Sequence, residues 1–227
     1  MYNIGYVNAN SLNDGKFAQA VRLLEKSFDF LFIAEHWYQH HESRLAHPLV
    51  HSSTISRQKP TKQPLKGHDH GGIYLLVKPH LRSLIQQTTC TSHSITVTIP
   101  GLRFAAVYYP PDSITDQDII HDLREIGSID FLVGDINTRF YCHGQPKKQQ
   151  PQSGSLARSL LFQSWAVNHD MFHLSNTVSH NTVDKIPDHA FASGPNRSHI
   201  HLILQSTNSL SFPTDHKYLL HIKFDKG

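Results

Sequence analysis

Apolar residues occur along this chain in short runs that break off at polar ones. Residues 4–7 read as a buried strand followed by Asn8, Asn10 and Ser11, and residues 30–34 as a second that ends at Glu35. Between them Phe17, Ala20, Val21, Leu24 and Phe28 recur at helical spacing, which predicts a helix over 14–28 with Asp14 as its cap. After a polar stretch over 38–70 with an edge strand near 47–51, the pair Gly71-Gly72 opens a series of strands at 73–77, 82–88, 94–99 and 104–108, rich in Val, Ile and Thr. The alternation over 94–99 predicts a half-exposed strand. A helix over 115–126, a buried strand over 130–133 and a helix over 155–168 with Leu156, Leu160, Leu161 and Trp165 on one side come next. Short segments lead to residue 192, and strands at 200–204 and 219–224 close the chain. Strand runs with interspersed helices imply two sheets covered by helices, a layered α/β architecture.

Composition narrows the class. The 227 residues are 38% hydrophobic and 17% charged, a balance that suits a globular chain rather than a disordered one. With no linker and no internal repeat, one domain over 1–227 is expected. A net charge of +3 permits a polyanionic partner without requiring one. Cys90 and Cys142 do not make a disulfide framework, and free thiols in a reducing compartment are expected. The start lacks a leader-like pattern and the apolar runs are far short of a membrane span, so the expectation is an intracellular protein, the nucleus included, that is neither secreted nor membrane-bound. The 19 histidines are scattered; His40-His41 and His68-Asp69-His70 lack the paired spacing of a structural zinc site. Arg57, Lys59, Lys62 and Lys66 make a basic loop, either a solvated connection or a contact to a phosphate backbone.

The candidate chemistry sits where strands stop. Asn8 and Asn10, Glu35, Tyr108, Asp135 and Asn137, then Asp215 and His216 each follow or end an apolar run. In a layered α/β protein, strand ends on one edge converge, and sites form there. Any one of these residues alone could be a turn residue or a cap.

Their order and context carry more. Asn8-Ala9-Asn10-Ser11-Leu12, Ala34-Glu35-His36-Trp37, Gly71-Gly72-Ile73, Val107-Tyr108-Tyr109-Pro110-Pro111, Gly134-Asp135-Ile136-Asn137-Thr138-Arg139, Ser198-His199-Ile200-His201 and Thr214-Asp215-His216 run across nearly the whole chain. In this the sequence resembles the endonuclease/exonuclease/phosphatase superfamily, most of all the endonuclease domains of LINE-type retrotransposons. The resemblance implies a DNase I-like, four-layer α/β sandwich of two packed mixed sheets flanked by helices. It implies a divalent cation, Mg²⁺ or Mn²⁺, held by Glu35 with Asn10 and Asp215. Asp135 would orient or deprotonate the attacking water, Asn137 would fix Asp135, Tyr108 and His216 would act on the phosphate, Asn8 would help to hold the site and Arg139 would touch nucleic acid. Hard oxygen donors suit Mg²⁺, and such a cation neutralises charge that develops on a phosphate.

One position departs from the pattern. The Asp that partners the final His in this superfamily is matched by His201 in the Ser198-to-His201 segment. Two adjacent imidazolium ions repel, so both pKa values would fall. His201 would then be an inactivating change, a tolerated one in a slow enzyme, or an added ligand that favours Mn²⁺ or Zn²⁺. Three functions follow: an endonuclease that nicks DNA, an inactive member that binds nucleic acid or protein through the same cleft, and a phosphatase acting on a small or lipid phosphoester.

Overall fold

The computed structural model describes residues 1–37, 41–54, 71–111, 114–138, 153–174 and 187–225, the side chains of residues 41 and 153–155 excepted. The basic loop with Arg57, Lys59, Lys62 and Lys66, the histidines at 40, 68 and 70, Cys142 and Arg139 lie outside these residues.

Twelve described strands form two six-stranded mixed sheets. The first contains β1 (Tyr2–Asn8), β2 (Phe30–Ala34), β3 (Val50–Ser53), β4 (Ile73–Val77), β11 (Ile200–Ser206) and β12 (Tyr218–Phe224), in the order β11-β12-β1-β2-β4-β3. The second contains β5 (Gln87–Cys90), β6 (Ser94–Ile99), β7 (Leu102–Tyr108), β8 (Phe131–Asp135), β9 (Met171–His173) and β10 (Asp188–Ser193), in the order β5-β6-β7-β8-β10-β9. At the centre of each sheet lies one parallel pair, β1 with β2 and β7 with β8. Each pair is joined by a crossover helix, α1 (Asp14–Ser27) or α3 (Asp116–Ile126), the connection that parallel strands require.

Side-chain parity divides the core into three slabs. Ile4, Tyr6, Phe30, Phe32, Leu75, Phe104, Ala106, Phe131, Val133 and Ala190 face inward between the sheets. The opposite parity of the first sheet, Val7, Leu31, Ile33 and Tyr74, packs under Ala20, Leu23 and Leu24 of α1. That of the second, Val107, Leu132 and Phe191, packs under Ile119 and Leu123 of α3 and Phe162 and Trp165 of α4 (Ser153–Asn168). The result is the expected helix–sheet–sheet–helix sandwich.

Several local expectations fail for identifiable reasons. Asn13, not Asp14, caps α1, its carboxamide oxygen accepting from Lys16 N–H at 2.9 Å. Pro79 starts a 3₁₀ turn over Pro79–Leu84 where a strand over 82–88 was expected, and β5 begins only at Gln87. Strand β6 is buried on both faces: Ile95, Val97 and Ile99 enter the inner slab, while Ser94 bonds Asp122 of α3. A short helix, α2 (His41–Leu45), stands in the polar stretch, and the strand expected near 47–51 is β3. Helix α4 turns inward only half of the expected face, with Trp165 buried and Leu161 packed against the core. Arg158, Ser159, Phe162, Trp165 and Ala166 are buried, whereas Leu156 and Leu160 are exposed. No described helix is long and apolar enough to cross a membrane.

Candidate active site

Four strands end on the same inner parity at one rim of the sandwich. Asn8 continues Ile4 and Tyr6, Tyr108 continues Phe104 and Ala106, and Asp135 continues Phe131 and Val133. Asp188 opens β10 in phase with Ala190 and Ala192. Because β10 is antiparallel to β8, Asp188 stands directly opposite Asp135. The polar cluster is therefore the end of the hydrophobic slab, where apolar side chains give way to carboxylates and amides.

Asp135 is held from every side. Asn8 Nδ2 donates to its Oδ2 and Asn137 N–H to its Oδ1, both at 2.9 Å, and its own N–H donates to Tyr6 Oη at 2.9 Å. Gly134 permits this arrangement, since a Cβ there would lie 2.1 Å from Val107 O. Asn137 also donates from Nδ2 to Tyr109 O at 3.2 Å, which ties the β8 turn to the end of β7.

His216, in the connection from β11 to β12, points its Nδ1 at Asp188 Oδ2 at 2.6 Å and its Nε2 toward Asp135 Oδ2 at 3.8 Å. A carboxylate is an acceptor, so Nδ1 carries a proton and donates. Thr214 Oγ1 takes His216 N–H at 3.2 Å and donates to Asn8 O at 2.8 Å, anchoring this connection to β1.

On the other side of the rim Tyr108 donates its hydroxyl proton to Glu35 Oε1. Glu35 leaves β2 in a left-handed turn, φ 54°, with its N–H on Gly72 O at 2.9 Å. Gly72 serves as a backbone device, as a Cβ there would lie 2.2 Å from the buried His36 ring. Asn10, Ser11, Trp37 and Asn137 also have positive φ. Left-handed backbone is costly for residues other than Gly, and five of the seven described non-Gly residues with positive φ lie beside this cluster, Asp170 and Ser211 being the other two. Asp215 is exposed, and its charge acts on Lys16 together with that of Glu35, so Asp215 and Glu35 share a neighbourhood.

Electrostatics sharpens the picture. Burial, then the adjacent Asp188 charge, pushes Asp135 up to about 7, against the opposing pull of His216. Burial alone would lower the His216 pKa, but the charge and hydrogen bond of Asp188, helped by Asp135 and Asp215, raise it to about 9.

The structure brings Asn8, Asn10, Glu35, Tyr108, Asp135, Asn137, Asp215 and His216 to this rim. It does not bring His201. That residue is exposed on β11, paired in register with Lys223, whereas the end of the strand near His216 pairs Ser206 with Tyr218. Five residue steps separate the two, about 16 Å of strand. The companion residue His199 lies in a 3₁₀ turn, Gly194–His199, and not on a strand face with His201. The carboxylate partner of His216 is Asp188, and the position matched to His201 was the wrong one.

Three further residues escaped the sequence reading. Lys16 Nζ donates to Ala9 O at 2.6 Å and Asn10 O at 3.0 Å and so secures the left-handed turn at Asn10. Arg158, buried in α4, donates to Tyr109 O, Pro110 O and Ile136 O at 3.2, 3.3 and 3.4 Å, clamping the ends of β7 and β8 together. Asp188 was the third; its run, Asp188 to Ser193, has no apolar–polar alternation by which it could have been found.

The donors fit a hard divalent cation. Glu35, Asn10 and Asp215 offer oxygen alone, which Mg²⁺ prefers. Asp188 Oδ1 is buried with no hydrogen-bond partner among the described residues, and ligand atoms of Asp135, Asp188 and His216 lie within 4.8 Å of one another. A buried carboxylate oxygen without a donor invites a cation or a proton.

No protein-family model matches the sequence, and no curated protein matches it significantly. Solved structures do. A 3′ phosphatase, NExo, from Neisseria, bound to a product DNA hairpin, matches with a TM-score of 0.67 at 18% identity over 99% of this chain and 100% of its own. An AP endonuclease from Leishmania major matches with 0.65 at 9% over 100% and 88%. The endonuclease domain of TRAS1, a telomere-specific non-LTR retrotransposon, matches with 0.60 at 12% over 99% and 98%. Two mixed six-stranded sheets, parallel centres, flanking helices and near-complete overlap with these structures give the chain the DNase I-like fold that they share.

Proposed function

We propose that this protein is a divalent-cation-dependent phosphodiester hydrolase that nicks DNA. The observation that carries the reading is the Asp188–His216 pair standing against Asp135, with Asn8 and Asn137 holding the latter. The three similar structures are a 3′ phosphatase, an AP endonuclease and a retrotransposon endonuclease domain, which supports phosphoester chemistry.

In this reading Glu35, Asn10 and Asp215 would hold Mg²⁺, whose charge would offset that growing on the scissile phosphate. Asp135 accepts the proton of the attacking water as the water oxygen bonds to phosphorus; the P–O ester bond breaks, and the departing oxygen keeps the bonding pair and takes a proton from solvent. The raised pKa of Asp135 makes it a stronger base than an ordinary carboxylate, and its two fixed oxygens set the direction of attack. His216, protonated because Asp188 neutralises it, directs its Nε2–H to a phosphoryl oxygen as charge grows there. Tyr108 adds a hydroxyl donor beside Glu35. The reading of an inactive binding protein rested on His201; the hydrogen bond of Asp188 to His216 supports the catalytic reading instead.

The test is nicking of supercoiled plasmid with Mg²⁺ or Mn²⁺, beside Glu35→Ala and His216→Ala. Nicking by the wild type that both changes abolish supports the reading. Nicking that survives Glu35→Ala refutes this site. A 3′-phosphorylated oligonucleotide, run in parallel, separates a nuclease from a phosphatase.

A further inference from the structure

Strand β1 supports Asp135 twice. Asn8 holds the carboxylate; two residues earlier, on the same parity, Tyr6 holds the backbone. The Tyr6 ring is fully buried in the slab between the sheets. Its hydroxyl donates to Val107 O at 3.1 Å and accepts Asp135 N–H at 2.9 Å. A regular parallel ladder between β7 and β8, in which Asp135 C=O takes Tyr109 N–H at 2.9 Å, would pair Val107 O with Asp135 N–H. The phenol touches both of those groups. It reaches from the first sheet into a rung of the second, next to Gly134, where the strands crowd most.

We propose that Tyr6 is a positioning residue for the hydrolytic reaction: its phenol, hydrogen-bonded to both Val107 O and Asp135 N–H, fixes the chain at Asp135 and so aims the carboxylate. This rests on the function proposed above. Of the two tethers on the Asp135 carboxylate, Asn137 N–H belongs to the β8 turn and moves with it, whereas Asn8 comes from β1 in the sheet that carries Glu35. The Tyr6 bond references the Asp135 backbone to that same sheet, so that carboxylate and main chain are both fixed from β1. A hydroxyl is required for this, because a buried N–H facing a bare ring edge loses its acceptor. The ring itself fills the slab, and Phe would fill it equally well.

The experiment is Tyr6→Phe, studied as the whole chain by plasmid nicking and by amide hydrogen exchange and side-chain resonances in NMR. Wild-type Asp135 N–H is expected to exchange slowly. In Tyr6→Phe that amide loses protection, the Asn8 Nδ2 resonances move, and kcat falls about 10- to 100-fold with KM little changed, the pattern of a displaced reacting group. Ser94→Ala, which removes a different buried hydrogen bond, to Asp122, is expected to leave kcat alone. Unchanged kcat in a Tyr6→Phe protein whose Asp135 amide has lost protection makes Tyr6 merely structural and overturns the proposal. Fast exchange of Asp135 N–H in the wild type overturns it too, without need of a variant that folds. Should the wild type fail to nick DNA, the function proposed above falls, while the Asp135 and Asn8 resonances still decide whether Tyr6 fixes Asp135.

Discussion

His216 Nδ1 lies 2.6 Å from Asp188 Oδ2, so the imidazole is fixed in tautomer and held as the cation by a carboxylate at the head of β10. Asp188→Asn keeps the shape but removes the charge. It is expected to lower kcat on the order of 10²- to 10⁴-fold, by analogy with the orienting carboxylate of a Ser-His-Asp triad. His216→Ala should cost about as much, and the double variant little more, because the two act as one unit. Steady-state nicking kinetics on the four proteins check this, and additive losses would contradict it.

His201 gives the converse expectation. On the exposed face of β11, some five strand steps from the level of His216, neither His201→Asp nor His201→Ala should change the nicking rate. A marked gain from His201→Asp would restore the alignment that the structure rejects.

The pH dependence of kcat/KM follows from the pair. Asp135 must be unprotonated, so activity rises as pH passes about 7; His216 must be protonated, so activity falls as pH passes about 9. A bound cation favours the carboxylate and draws the acid limb lower. In Asp188→Asn both limbs move to lower pH, because the Asp188 charge raises both groups. A profile whose alkaline limb stays put in that variant would separate it from His216.

Stability responds to acid through other histidines. Burial lowers the pKa of His51, His93, His189 and His221, the last to about 4. A folded-state pKa below the unfolded value means that the unfolded chain binds more protons in the interval, so stability is lost as pH falls from 6.5 toward 4. Asp135, whose folded pKa is raised to about 7, works in the opposite sense throughout this window, and His216, raised to about 9, does so above about pH 6.5. Solvent screening leaves His221 a share of about 1–2 kcal/mol. Urea midpoints are expected to fall from about pH 6 toward about pH 4.5, where the four histidines are opposed by Asp135 and no longer by His216.

Helix α4 supplies a contrast within one element. Phe162 is fully buried among Tyr109, Trp165 and Phe191, so Phe162→Ala is expected to cost about 3–5 kcal/mol. Leu160 is 53% exposed, and Leu160→Ala should fall within about 0.5 kcal/mol of zero. Chemical denaturation distinguishes the two.

What the sequence revealed and what it hid have a common physical root. Strand ends that close with a sharp change from apolar to polar, such as Phe30–Ala34 before Glu35 or Phe131–Val133 before Asp135, were legible because the burial of a whole run marks its end. Strand β10 was not, because Asp188-His189-Ala190-Phe191-Ala192-Ser193 contains one large aliphatic-like anchor, Phe191, and otherwise small or polar side chains. Its residues are buried by close packing under neighbours, which composition does not display. Half of the α4 face was misread for a related reason: the leucines looked like the core, but an arginine with four carbonyl partners nearby occupies it. Buried polar groups that serve backbone acceptors carry no hydrophobic signature.

The rim draws Asn8, Asn10 and Glu35 from one sheet and Tyr108, Asp135, Asn137 and Asp188 from the other. Neither leaf of the sandwich owns a working set. A slip of one leaf over the other by a fraction of an ångström would leave every strand hydrogen-bonded and the far-ultraviolet spectrum intact, yet pull the reacting groups apart. Loss of turnover in mild denaturant should therefore precede loss of secondary structure, making catalysis the more sensitive gauge of how firmly the leaves are seated.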